Sequence, residues 1–431
     1  MIKLFLIILI FATSCSKDPK SSLWNKKKID HTENQLKSKK INQKKEILKK
    51  NFNKDLELNF SNKITKNSFE KLDNNYGRKN YSNIPIKNTK YKFKKIKNFI
   101  KYEANLIIDN TGLIFFDGKG SLFRYDSLGN IIWKQNHYSK QEIKSNLLLN
   151  INEENNFLII SDNLAKYYRI DLSTGNIIWS KASSSPFNSQ IKIYKDKFFV
   201  VDLENKIHCF SVKNGKKIWS FQTENFFIKS NKKLSIAIDN GIVYFNNSIG
   251  DITALNSNTG DLIWQIPTQN NFVYGETILL KNSDLVIHKD SIFFSNNKNQ
   301  FYSINKNNGI INWKQDINSQ VRPVIVSETI FTITNEGFLM VIDSNNGNII
   351  RSTDQFVNFN DKKRNFIEPI GISLGVGKIY TTLNNGYLQI SEINSGQIIK
   401  SIKIDNKIIS SPFIYNKKLF VIKDDAIIEY D

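Results

Sequence analysis

From about residue 106 onward the chain is written in short apolar stretches divided by Gly, Asn, Asp and Ser. Within them the polarity alternates with period two. Ile252, Ala254 and Asn256 fall on one face and Thr253 and Leu255 on the other, which is the pattern of a half-buried strand. Residues 249–265 show the unit whole: a strand over 252–256, a turn closed by Gly260, and a second strand ending at Trp264. The same phrase returns as Gly129 with Trp133, Gly175 with Trp179, Gly215 with Trp219, and Gly309 with Trp313. Gly347 leads to Arg351 and Gly396 to Lys400 with the same four-residue step but no Trp. Successive glycines lie 46, 40, 45, 49, 38 and 49 residues apart. A period in the forties built from short strands predicts a β-propeller with one four-stranded blade per repeat.

Each position in the phrase has a physical role. The Asp or Asn before the turn (Asp126, Asp171, Asn256, Asn305, Asp343) is placed to bond its own backbone two residues on. The glycine supplies a positive φ that a Cβ resists. The Trp offers a wide apolar face and one N–H donor, suited to the seam between blades. Blade one is expected over about 102–135, and six more follow. The chain then ends on three strand patterns, 410–414, 418–422 and 426–431, which lack an outermost partner. A strand pattern at 91–97 stands before the first blade and is the spare piece. The expected fold is therefore all-β: an eight-bladed propeller of four-stranded antiparallel blades, closed by an N-terminal strand pairing with the C-terminal blade. Such closure removes two open sheet edges. The aromatic pairs Phe115/Phe116, Phe198/Phe199 and Phe293/Phe294 fall on second strands and are expected to pack blades.

Charge divides the chain unevenly. It carries 61 basic and 40 acidic residues, for a net +21, and most of the excess precedes residue 101. The propeller is near neutral and its leader is a polycation. Residues 16–88 are rich in Asn, Lys and Ser, and read as a basic disordered tether. A weak apolar spacing (Ile41, Leu48, Phe52, Leu56) predicts one helix over 35–58. A tether of about 70 residues reaches roughly 45 Å r.m.s.. The domain plan is 1–15, 16–88 and 89–431.

Residues 1–15 read as an address. Lys3 forms a basic start and residues 4–12 an apolar run too short to span a bilayer. Ala12-Thr13-Ser14-Cys15 then resembles a bacterial lipobox, which marks Cys15 for lipidation. In such lipoproteins Asp after the Cys retains the protein in the inner membrane, so Ser16 permits export to the outer one. Cys209, on a strand, has no intramolecular disulfide partner once Cys15 is lipidated, and burial is the expected means of protecting it. No Cys or His pair has metal-ligand spacing, so no metal and no cofactor are expected. An exported address excludes nucleic acid as the partner of the Lys runs at 26–28 and 37–45. Attraction to anionic lipid or wall polymers is physically reasonable. The alternative, which weighs more, is that a Lys- and Asn-rich composition simply fills unconstrained positions with these residues.

A lipobox, a tether and eight blades with corners such as Asp171-Leu-Ser-Thr-Gly-Asn-Ile-Ile-Trp179 and Asn256-Ser-Asn-Thr-Gly-Asp-Leu-Ile-Trp264 together resemble outer-membrane assembly lipoproteins of the BamB type. The resemblance implies a non-enzymatic scaffold, lipid-anchored at the periplasmic face of the outer membrane. It further implies docking on the POTRA domains of a BamA-like barrel-assembly protein and assistance to nascent outer-membrane proteins. In that family a loop between blades three and four presents apolar residues and a basic one. With a short insertion allowed, the best-matching residues here are Phe226, Ile228 and Lys229; the alternative is that 226–228 simply continue an outer strand. The family's acidic pair at the entry to blade five has no counterpart, since Lys281 and Asn282 lie there with Asp284 nearby. Quinoprotein dehydrogenases share the corner phrase. That reading requires a flat quinone in the channel and a Ca²⁺ site, for which the sequence offers no acidic cluster. A generic protein-binding propeller of the envelope is the third reading.

Overall fold

The computed structural model describes residues 48–58, 64–65, 71–85, 87–93, 95–96, 106–109, 111–224, 230, 232–268 and 281–431. Eight four-stranded antiparallel sheets follow one another around a central axis. In seven of them the strands run in chain order from the axis outward, for example Ile236–Asp239, Ile242–Asn246, Ile252–Asn256 and Leu262–Ile266 in blade four. The eighth is composite. Its three C-terminal strands are completed by β1 (Lys87–Lys92), which pairs antiparallel with β32 (Ala426–Tyr430). The closing strand thus lies a few residues before the expected 91–97. A bulge between Asn88 and Tyr91 shifts the register. From Phe93 the chain leaves the ladder to cap the last turn, with the Phe93 and Ile96 amides donating to Asp425 O and Asp424 O.

Second and third strands are buried on both faces because each blade is covered by two neighbours, and Phe115, Phe116, Phe198, Phe199, Phe293 and Phe294 all lie in this packing. Fourth strands are covered on their inner side only. Their adjacent aliphatics, Ile131/Ile132, Ile177/Ile178 and Leu262/Ile263, stand exposed on the rim.

The blade seams follow from the corner phrase. Asp126, Asp171, Asn256, Asn305 and Asp343 each accept the amide two residues on, at 2.8–2.9 Å. The corner glycines sit at positive φ, +81° at Gly260. Each Trp lies over the corner glycine of the following blade. A Cβ on Gly175, Gly215, Gly260, Gly309 or Gly347 would come within 2.6–2.8 Å of Trp133, Trp179, Trp219, Trp264 or Trp313 or of an adjacent side chain. The same indoles donate across the seam to Leu172 O, Val212 O, Ser257 O, Lys306 O and Ser344 O at 2.9–3.3 Å. Glycine is required twice over, by φ and by the ring above it.

At the seam between blades six and seven the Trp is replaced by Arg351, which is fully buried. Its guanidinium makes the same kind of bond, to Ile393 O at 3.1 Å and to Asn394 O, and also reaches Leu56 O at 3.1 Å. The leader lies over this seam. Phe52 and Ser352 exchange both backbone hydrogen bonds at 2.9 Å, and the Leu58 amide donates to Asn394 O. The helix expected over 35–58 is absent from the described part, residues 48–58, where Phe52 instead forms an isolated bridge with Ser352 at the blade edge. Within the stretch 16–88, residues 71–83 bond the propeller through backbone, Asn, Arg and Tyr groups.

Candidate functional site

The axial channel is where the leader and the propeller meet. Residues 71–81 enter it, and each innermost strand from blade three to blade seven bonds them. The Leu72 carbonyl accepts from the Ile238 amide at 2.9 Å and the Asp73 carbonyl from the Ile287 amide at 2.8 Å. Asn74, 1% exposed, sits at the centre. Its amide donates to Ile236 O at 2.9 Å and Leu285 O at 2.8 Å, and its oxygen accepts from Lys192 Nζ at 2.6 Å. Lys192 Nζ also reaches Lys71 O at 2.8 Å. Asn75 Oδ1 accepts from the Ile325 amide at 3.2 Å, Arg78 Nε donates to Gly375 O at 3.0 Å, and the Lys79 amide donates to Leu374 O at 2.9 Å.

Two residues let the segment reverse inside this space. Asn74 (φ +58°) and Gly77 (φ +56°) both adopt the left-handed conformation that Asn tolerates and Gly prefers. The segment then leaves between blades seven and eight. The Tyr81 ring packs tilted, 5.1 Å from Tyr380, its hydroxyl donates to Asp431 O at 3.2 Å, and its carbonyl accepts from the Val376 amide at 2.7 Å. The Arg322 guanidinium lies 3.9 Å over the Tyr76 ring and 3.5 Å from Asp284. Burial, with the neighbouring Lys71 and Arg322 charges, lowers Lys79 to about 8. A small cleft open to solvent remains between Tyr76, Lys79 and the innermost strands of blades six to eight.

The docking residues expected from sequence, Phe226, Ile228 and Lys229, lie outside the described residues, as does Cys15. The described flanks of that loop are Thr223, bonded to Asn205 O, and Lys232, whose Nζ donates to Gln320 O at 2.9 Å. Asn282, at the entry to blade five, pairs in a β-bridge with Asn296. Cys209 is buried, and burial pushes its thiol up to about 12.

Sequence reasoning missed the channel segment, and it missed a second repeated turn. Asp117, Asp162, Asp202, Asn247 and Asn296 each stand nine residues before the corner Asx or its equivalent. Each accepts the amides two and four residues on, which fixes the turn between second and third strands. The fixed spacing was the available signal. Asp162 also accepts from the Tyr138 hydroxyl at 2.6 Å, and Asp202 Oδ2 lies 2.8 Å from His208 Nε2.

The fold and its corners define a class, the eight-bladed propeller of PQQ-like repeats. A family model described as outer membrane protein assembly factor BamB matches residues 118–353, more than half of the chain, and the chain belongs to that family. It is 24% identical over 179 residues to the outer membrane protein assembly factor BamB of Legionella pneumophila (strain Paris). That alignment covers 39% of this chain and 42% of the relative, so the chain matches less than half of the relative's length. In structure it is similar to BamB from Moraxella catarrhalis, with a TM-score of 0.63 and 16% identity over 80% of this chain and 99% of that one. It is also similar to the quinohemoprotein alcohol dehydrogenase of Comamonas testosteroni, with a TM-score of 0.61 and 9% identity over 82% of this chain and 78% of that one. These structural likenesses concern the fold.

The dehydrogenase likeness raises the question of a quinone and its metal in the channel. The residues present do not fit them. The inner strand edges of blades three to seven are bonded to residues 71–81, and among the described residues no three His, Cys, Asp or Glu side chains converge as a cation site.

Proposed function

We propose that this chain is a non-enzymatic scaffold lipoprotein of the outer-membrane β-barrel assembly machinery. It is anchored through Cys15 at the periplasmic face of the outer membrane and docks on the POTRA domains of a BamA-like protein. The family match over residues 118–353 carries this reading. The channel contacts support the absence of enzymatic chemistry, because the surface that would face a bound cofactor is taken up by the chain itself. Phe226, Ile228 and Lys229 are the proposed docking residues, since apolar side chains beside a cation make an effective hot spot. Exposed aliphatic pairs on the outermost strands support a second task, holding apolar strands of nascent outer-membrane proteins against the rim.

The test is a crosslinked pull-down of the full-length protein from membranes. A barrel-assembly protein should be recovered with the unaltered chain and lost with the double variant Phe226→Ala/Ile228→Ala. Cys15→Ala should move the protein from the membrane fraction to the soluble one. Recovery of no assembly component would leave a generic envelope propeller.

A further inference from the structure

We infer that the axial channel is a peptide-binding site and that its resident ligand, held in cis, is the chain's own segment 72–81. On the propeller side the site is built from groups that cannot satisfy one another. The Ile238 and Ile287 amides and the Ile236 and Leu285 carbonyls all point along the channel from the innermost strands. Lys192, 2% exposed, adds a buried cation aimed at the same place. Without the segment each of these groups would lose the hydrogen bond it makes here, and a polar group that loses its partner in a buried place is costly.

The segment answers this set group by group. Backbone carbonyls of Leu72 and Asp73 meet the amides, and both ends of the Asn74 carboxamide are used, one on carbonyls and one on the lysine. The ligand chemistry is therefore a turn-forming peptide carrying an Asn in the left-handed conformation. Asp at that place would keep the lysine contact but offer no donor to Ile236 O and Leu285 O. Linkage to β1 supplies the ligand at high effective concentration, so the cis segment outcompetes any peptide of similar affinity. The consequence is that the inner edges of blades three to seven are closed to other peptides while the segment stays in. None of this depends on what the propeller docks onto.

Hydrogen exchange on the full-length protein tests the idea. Residues 71–81, 236–239 and 286–288 should exchange at least about tenfold more slowly than the exposed corner at 345–347. Asn74→Ala should speed exchange in all three stretches and open the Arg78–Lys79 bonds to trypsin. A labelled synthetic peptide of residues 71–81 should then bind the variant, by fluorescence anisotropy, and not the unaltered protein. Lys192→Met removes a propeller-side partner without touching the segment and should give the same opening. If residues 71–81 of the unaltered protein exchange as fast as the exposed corner, the inference is wrong. It is equally wrong if that protein binds the labelled peptide as tightly as the Asn74→Ala variant does.

Discussion

Two glycines with similar backbone angles separate the two demands placed on a corner. Gly260 (φ +81°) lies under Trp219, and a Cβ there would stand 2.7 Å from the indole. Gly377 (φ +73°) has nothing within 4 Å of that point. Gly377→Ala should cost only the left-handed conformation, about 1 kcal/mol. Gly260→Ala adds overpacking of a closed seam and should cost about 3 kcal/mol. Urea unfolding of the two variants, read as the midpoint shift at constant slope, measures the difference. Cys209 makes a second prediction at this scale. Burial raises its thiol from 9.0 to about 12, so the native protein should resist alkylation at Cys209 near pH 8 and react there only when unfolded. The folded thiol keeps its proton where the unfolded one loses it. Its stabilisation is thus complete below pH 9 and fades as pH rises from 9 toward 12. Tyr91 and Tyr244, raised by burial, act in the same direction. Melting temperatures should fall across that alkaline range.

Among the elements, the seam between blades six and seven shows how the leader became part of the fold. Trp313 and its counterparts seal a seam with one N–H and a ring, whereas Arg351 brings several donors and no comparable apolar face. The surplus donor meets Leu56 O, and the leader covers what an indole would have covered. Arg351→Ala should leave the Ile393 and Leu56 carbonyls short of a donor and Asn394 O with the Leu58 amide alone, a loss on the order of 3 kcal/mol. Residues 48–58 should then undock and become open to trypsin at Lys54, which mass mapping of a limited digest would report. The contrast between corner and leader also explains what the sequence made legible. An Asx, a Gly and a Trp within nine residues encode a turn and a seam locally, so the blade count and the composite eighth blade could be read from spacing. The partners of Asn74 lie more than 110 residues away, and they are met through backbone and carboxamide groups rather than an apolar face. A polar, Lys-rich stretch carries no periodicity that announces such contacts, and composition alone assigns it to solvent. The only hints were the missing Trp at position 351 and Gly77 among asparagines.

For the molecule as a whole, stability depends on joining two pieces of chain that are more than 300 residues apart. β1 is tied to β32 by its ladder, and its Tyr91 ring packs edge-on 5.4 Å from Tyr125 of blade one. Tyr91 therefore touches both sides of the closing seam at once. Every other seam joins blades that are neighbours in sequence, so its loss leaves the flanking blades held by a short connection. The closing seam is spanned only through β1, which its ladder with β32 alone keeps in blade eight, so losing that ladder exposes two blade faces together. Tyr91→Ala should cost about 3–5 kcal/mol as a buried aromatic truncation. It should also change how the ring unfolds. Nearest-neighbour stacking lets an opened array fray from its ends, whereas a closed ring has no end from which to begin. The variant should unfold over a broader denaturant range with a lower apparent slope, beginning in blades one and eight. Hydrogen exchange in partial denaturant should find residues 113–116 and 418–423 opening before 242–246. Equal exchange of all blades, with an unchanged slope, would mean that closure is carried elsewhere. The channel segment, which bonds blades three to seven from inside, would then be the element holding the ring.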